Sequence, residues 1–371
     1  MTHPVRIIFG ALLAAGVLSA AARIDSRLAD AAKRSDKTEV RALIEQHLDV
    51  NATAVDGDTA LHWAAYWDDL ETARLLLDSG ANVNAANRYG VTPLSLAATN
   101  GSAAMIDLLL KAKADPNAAL PGGETPLMTA ARTGKVDALK SLLASGAEVK
   151  AKDEERGQTA LMWAAAEGNT AAVEMLIEHG ADIHAVSKGG FTALLFAVRE
   201  GKPEVVRTLL KAGADVNETL QKPSRQAGTS AMVLAVANAH FELAAMLLDA
   251  GADPNAAEQG WTALHTITWI RQPGYASNDP APQGSGSMSS IEFVKKIAAK
   301  GANLNARMTR RTNAGLSSLN YIGATPFLMA ARTGDAELMR LLAKLGADPL
   351  IPNADNTTPL MVAAGVGTGS P

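Results

Sequence analysis

The feature that most constrains this chain is a block that returns about every 33 residues. TALHWAA opens at Thr59, TPLSLAA at Thr92, TPLMTAA at Thr125, TALMWAA at Thr159 and TALLFAV at Thr192. SAMVLAV follows at Ser230, TALHTIT at Thr262, TPFLMAA at Thr325 and TPLMVAA at Thr358, and an upstream copy, SRLADAA, starts at Ser26. The steps between the ten copies are 33, 33, 33, 34, 33, 38, 32, 63 and 33 residues. Every block but the last continues into an apolar helical run and a variant of GADVNA, such as LLLDSGANVNA. A unit this short cannot bury its own apolar face. It must stack on copies of itself, which dictates an elongated array rather than separate globular domains.

Each block reads as two helices. Thr or Ser before the first is an N-cap, and the Pro that often follows suits the first helical turn. The Ala pair allows close approach of the next unit, and the Leu pairs of the second helix face the shared core. Gly after the second helix supplies a left-handed C-cap. His47 and Lys113 stand where that Gly belongs, each at a cost of up to about 1 kcal/mol. These motifs resemble the ankyrin repeat over nearly the whole chain beyond residue 22. The resemblance implies an all-α solenoid of about ten helix-turn-helix units with β-hairpin-like fingers, the last unit incomplete. It also implies a concave groove that binds other proteins.

The expected organisation is a leader over 1–22, a capping repeat over 23–53 and an array over 54–371 with insertions at 219–229, 271–288 and 307–322. The 63-residue step is one unit with two insertions, because 39 residues instead of 21 separate Thr262 from Gly301. The long Pro-, Gly- and Ser-rich stretch from Trp269 to Ser290 is therefore a loop between two helices of one unit. It interrupts no core position and should be dispensable for folding but not for binding. At the far end, Thr358 opens a unit with 13 residues after it, too few for a second helix, and Leu360 and Met361 should lack a following partner. This end is expected to fray, to dock onto a partner, or to belong to a longer protein.

In the ankyrin arrangement the fingers form one edge of the groove, the first helices its floor, and their C-terminal ends its other edge. The insertions fall in consecutive units and could clamp a partner on both edges. By register, Tyr66, Trp67, Tyr89, Phe191, Trp261, Trp269 and Tyr321 occupy groove-facing finger or helix-end positions, a high share of the 15 aromatics. Phe191 and Trp261 are expected to pack locally between fingers. Trp63, Trp163 and Phe196 are expected in the core between units. Aromatics of this kind serve as interface anchors. From Phe293 to Gly334 there is no Asp or Glu, while seven Lys and Arg lie there on a chain of net charge −4. The expected partner-binding set is Tyr66, Trp67, Tyr89, Trp269, Tyr275 and Tyr321 with Arg307, Arg310 and Arg311, centred on the sixth to eighth repeats counted from Thr59. The arginines favour an anionic protein partner.

MTHPVR, the apolar run IIFGALLAAGVL and the small residues after it have the pattern of a secretory leader, cleaved after Ala20 or Ala22. The protein is then expected in the periplasm or outside the cell, off the membrane once cleaved, and monomeric. The segment GATPFLMAARTGDAELMRLLAKLGADP with NTTPLMVAAGVG resembles exported ankyrin proteins of environmental bacteria.

The chain has no Cys, which removes disulfides, thiolate metal sites and a Cys nucleophile. The negative charge argues against nucleic acid. His62 and His265 stand where the family's His makes structural hydrogen bonds. His179 and His184 flank a helix end without further metal ligands nearby. No phosphate loop, nucleophile elbow or zinc-protease motif occurs, so neither cofactor nor catalysis is expected. Two alternatives remain. One is an inhibitor or immunity-type protein for a secreted enzyme. The other is an enzyme with a site among the insertions of the Thr262 unit, where Asp279 and Glu292 are the available carboxylates.

Overall fold

The computed structural model describes residues 25–224, 226–271, 282–310 and 319–365. Among these residues the chain is helical, with one isolated antiparallel bridge between Thr219 and Ser230. The helices come in antiparallel pairs, the first of each pair inner and the second outer. They are α1 and α2 (Arg27–Lys33, Lys37–Glu45), α3 and α4 (Ala60–Tyr66, Leu70–Asp78), α5 and α6 (Pro93–Asn100, Ala103–Lys111) and α7 and α8 (Pro126–Thr133, Val136–Ala144). Next come α9 and α10 (Ala160–Glu167, Thr170–Glu178), α11 and α12 (Ala193–Arg199, Pro203–Lys211) and α13 and α14 (Ala231–Ala237, Phe241–Asp249). The series closes with α15 and α16 (Ala263–Arg271, Ser290–Ala299), α17 and α18 (Pro326–Arg332, Ala336–Leu345) and the single α19 (Pro359–Ala363). Inner helices pack on inner helices and outer on outer from one unit to the next.

The caps form as the sequence requires. Thr125 Oγ1 accepts from the Met128 amide at 3.3 Å and Ser230 Oγ from that of Val233 at 3.3 Å. Pro sits at the start of α5, α7, α17 and α19. Ala64, Ala65, Ala97, Ala98, Ala130 and Ala131 are buried where inner helices meet. His47 and Lys113 do adopt left-handed φ, 57° and 71°.

Units are also stitched side to side. The Asn of the GADVNA variants reaches the next unit: Asn51 donates to the Gly80 carbonyl at 3.2 Å and accepts from the Asn82 amide at 2.7 Å. Asn84, Asn117, Asn217 and Asn255 repeat the arrangement. His62 bonds the Thr59 cap at 2.9 Å and the Val91 carbonyl of the next finger at 2.9 Å. His265 does the same with Thr262 and Ala324, at 2.9 and 3.1 Å. Both imidazoles are structural. Burial drives the His265 pKa down to about 4, so the ring is neutral at pH 7.

The insertions are integrated into the fold. The finger at 219–229 closes through Leu220 N–H to Thr229 O and Gly228 N–H to Leu220 O, both 2.9 Å. The loop after α15 makes specific contacts in its described parts. At its start Arg271 forms an ion pair with buried Asp335 at 2.6 Å, reaches Glu337 at 2.7 Å and donates to Ser290 at 2.8 Å. Beyond residue 281 it doubles back over earlier units. Ser285 N–H donates to His240 Nδ1 and Ser287 N–H to Glu242 Oε2, both at 2.8 Å. A Cβ on Gly284 would stand 1.8 Å from the Ala239 carbonyl oxygen, so only Gly fits this crossing. The loop thus fastens three units together.

Candidate protein-binding groove

The inner helices present one repeating set of positions to the groove. Counted from the Thr or Ser cap, these are the residue before it and the fourth and seventh after it. In the unit opening at Thr59 they are Asp58, Trp63 and Tyr66; in that opening at Thr325 they are Ala324, Met329 and Arg332. Exposure along this face is uneven. Tyr66 and Trp67 are 47% and 50% exposed, and Tyr89 on the adjoining finger is 67% exposed. At the other end Met329 is fully buried.

The open end is a preassembled aromatic cluster. Tyr66 lies edge-on between Trp63, at 5.7 Å, and Trp67, at 4.8 Å. Trp67 is held by its indole N–H, which donates to the Lys33 carbonyl at 3.1 Å. Asn100, from the next unit, donates to the Ala65 and Tyr66 carbonyls at 3.1 and 2.8 Å and fixes the end of α3.

Elsewhere on the face, cations of this chain lie over aromatic rings. Lys33 stands 4.9 Å from the Trp63 ring, Arg132 5.2 Å from Trp163, and Arg199 4.9 and 5.0 Å from Phe191 and Phe196. These three cations share the seventh position after the cap. The pattern is visible in the sequence once the register is known, but only the geometry joins each cation to a ring. Of the aromatics expected in the core between units, Phe196 is buried, whereas Trp63 and Trp163 are half-buried beneath their cations.

The far end is closed by the chain itself. Met308, Leu319, Tyr321, Ala324, Leu328, Met329 and Val362 form a second apolar cluster, with Trp261 and Trp269 packed against it. Tyr321 is 4% exposed with Arg332 over its ring at 5.2 Å. Its expected role as a surface anchor is therefore corrected: Tyr321 packs inward with Met308 and Leu319 in this cluster and is buried. Trp269 is half-buried in an edge-on pair with Trp261 at 5.6 Å. Tyr275 and Arg311 lie outside the described residues.

The basic segment is largely satisfied from within. Lys296 and Lys300 both pair with Asp249, at 2.6 and 3.1 Å. Arg307 donates to the carbonyls of Gly323 and Pro352 at 3.2 and 2.8 Å, so it staples two fingers together. Arg310 is exposed, with its stem against Gly260.

Sequence reasoning passed over one half-buried carboxylate. Glu218 takes the position that is Ala in most GADVNA variants and accepts a hydrogen bond from the Thr192 hydroxyl. Burial, with a further push from Asp215, raises its pKa to about 7. Of the carboxylates considered for catalysis, Glu292 caps α16 through Ser289 at 2.7 Å, and Asp279 lies outside the described residues. Among the described residues no group of three or more His, Asp and Glu is placed to hold a metal. No described helix is long and apolar enough to cross a membrane.

An array of paired helices joined by fingers, inner packed on inner and outer on outer, defines a helical repeat solenoid. The family model for ankyrin repeats in three copies matches residues 28–120, 84–153 and 127–220, and the single-repeat ankyrin model matches 322–354. The chain belongs to the ankyrin-repeat family. No curated protein matches it as a relative. Ankyrin repeats generally mediate protein–protein interaction, and proteins built from them are typically non-enzymatic scaffolds.

Proposed function

We propose that this protein is a non-catalytic scaffold that holds a protein partner in the open part of its groove, over the units beginning at Thr59 and Thr92. The observation that carries this reading is the exposed edge-on pair of Tyr66 and Trp67 at the end of α3, with exposed Tyr89 on the finger of the next unit. Large, rigid aromatics of this type dominate binding energy at interfaces and are rarely left uncovered without one. This reading moves the site toward the start of the array from the units at Ser230, Thr262 and Thr325, because residues of the chain's own insertion pack against the inner face of the last two. The leader-like pattern over residues 6–22 supports a role outside the cytoplasm.

The test is capture with the purified chain and with its Y66A/W67A/Y89A variant. A partner retained by the wild type and lost by the variant, with melting unchanged, supports the reading. Equal retention by both refutes it. Partition of the chain into the cytoplasmic fraction of its own cells would refute export.

A further inference from the structure

We infer that the open aromatic end of the groove takes a cationic, arginine- or lysine-bearing extended segment of the partner protein. The inference rests on the reading above and names the chemistry of the occupant.

The argument comes from how the rest of the groove is occupied. Wherever an aromatic ring lines the inner face of the units opening at Thr159, Thr192 and Thr325, an arginine of this chain lies over it, 4.9 to 5.2 Å from the centroid. Lys33 serves Trp63 in the same way. Among the described residues, no cation stands over Tyr66, Trp67 or Tyr89. Trp261 and Trp269 of the Thr262 unit also lack a cation, but they pack on each other and on the second apolar cluster; Tyr66, Trp67 and Tyr89 are the exposed rings without one, and ring faces attract cations through their quadrupole.

Charge around the patch points the same way. Asp56 and Asp58 lie on one bordering finger and Asp68 follows Trp67 at the helix end. Asp58 accepts from Asn87 at 2.8 Å, so its nearest partner is neutral. The neighbouring cations are committed: Lys33 to Trp63, and Arg34 to Glu39 at 2.5 Å. Arg88 lies with its stem against Gly57 on the finger side. The groove spans the aromatic pair on one edge and Tyr89 on the other, which fits an extended backbone rather than a flat protein face. Acids at the rim would steer a basic segment inward.

The experiment uses fluorescein-labelled nine-residue peptides on a Gly/Ser frame carrying three Arg, three Gln or three Glu, titrated by anisotropy into the full chain. The Arg peptide should bind about tenfold more tightly than the Gln peptide, and the Glu peptide most weakly. Y66A/W67A should weaken the Arg peptide about tenfold, and D56N/D58N/D68N several-fold with a flatter salt dependence. Y89A alone, on an exposed finger residue, gives the same test if the double variant melts early. Gln or Glu peptides binding as tightly as Arg would overturn the inference. So would no detectable binding of the Arg peptide at millimolar concentration, or an unchanged response in D56N/D58N/D68N. If the Gln peptide binds as tightly as the Arg peptide and Y66A/W67A abolishes both, the docking surface stands and the cationic occupant fails. If the Arg peptide binds every variant alike, both readings fail. Sedimentation of a dimer that the aromatic variants dissolve would make a second copy of the chain the occupant and also overturn the inference.

Discussion

Neutralising Glu218 should stabilise the protein at alkaline pH and leave it unchanged near pH 4.5. The side chain is half-buried under the finger at 219–229, hydrogen-bonded to the Thr192 cap of α11. Burial is the main cause of its pKa of about 7 in the folded chain, against an ordinary 4.5. The folded state therefore holds the proton more tightly than the unfolded state. Stability linked to this group is fully present below pH 4.5 and is lost as pH rises from there through about 7. A shift of this size sets a ceiling of about 3 kcal/mol. Partial solvent access reduces the expected effect to about 1–2 kcal/mol. The assay is urea denaturation of the wild type and E218Q at pH 4.5, 6 and 8. Gln keeps an acceptor for the Thr192 hydroxyl, so the variants should coincide at pH 4.5, and E218Q should lead at pH 8. E218A, which restores the residue found at this position in Ala85, Ala118 and Ala151, should behave alike at pH 8. A constant gap between wild type and E218Q across the three pH values would refute the reasoning.

Other perturbations have equally direct outcomes. R271A removes the partner of buried Asp335 and should destabilise the units beyond Thr262 by about 3 kcal/mol, read by thermal melting, because it leaves an uncompensated charge. An R271A chain that melts with the wild type would deny the clamp its role. K113G relieves a left-handed φ of 71° on a residue with a Cβ and should stabilise by up to about 1 kcal/mol, with H47G behaving similarly. Replacing Gln272–Met288 by a short turn should lower the melting temperature, since it removes the Ser285 and Ser287 contacts to His240 and Glu242; an unchanged melt would mean the loop is held too weakly to matter. Hydrogen exchange should be fast in α19, where Leu360 is 80% exposed, and slow in α3 to α12. Uniform protection in the monomer would contradict it.

The repeated part of the fold was legible because stacking makes each position mean the same thing in every unit. Thr125, Ala131 and Gly146 occupy the cap, the inter-helix contact and the helix end that their register assigns. His62 and His265 were legible for the same reason. Even the exceptions His47 and Lys113 could be read, since the array imposes left-handed backbone there whatever the residue. Legibility stopped where the period stopped. Tyr321 has a register only relative to Thr325, and nothing in LSSLNYIGA says that Leu319 and Tyr321 turn toward Met308. Arg307 looked like surface charge because the carbonyls of Gly323 and Pro352 that bind it are backbone groups, which leave no mark in composition.

That difference explains why the two ends of the groove diverge. A periodic face offers every unit the same floor, so selectivity has to come from what departs from the period. At the Thr262 and Thr325 units the departure is an insertion that supplies its own apolar side chains and covers the floor. At the Thr59 unit it is a substitution: Tyr66 and Trp67 stand where the Thr125 unit has Arg132 and Thr133. Arg132 spans from Glu124 of its own unit, at 3.3 Å, to the Trp163 ring of the next and so satisfies its stretch of groove from within. Tyr66 brings no charge to the same position. A ring replaces a cation, which is the basis for proposing that the unit takes up the group it lacks. The chain thus covers the groove with its own residues at the Thr262 and Thr325 units and leaves the aromatic pair of the Thr59 unit exposed.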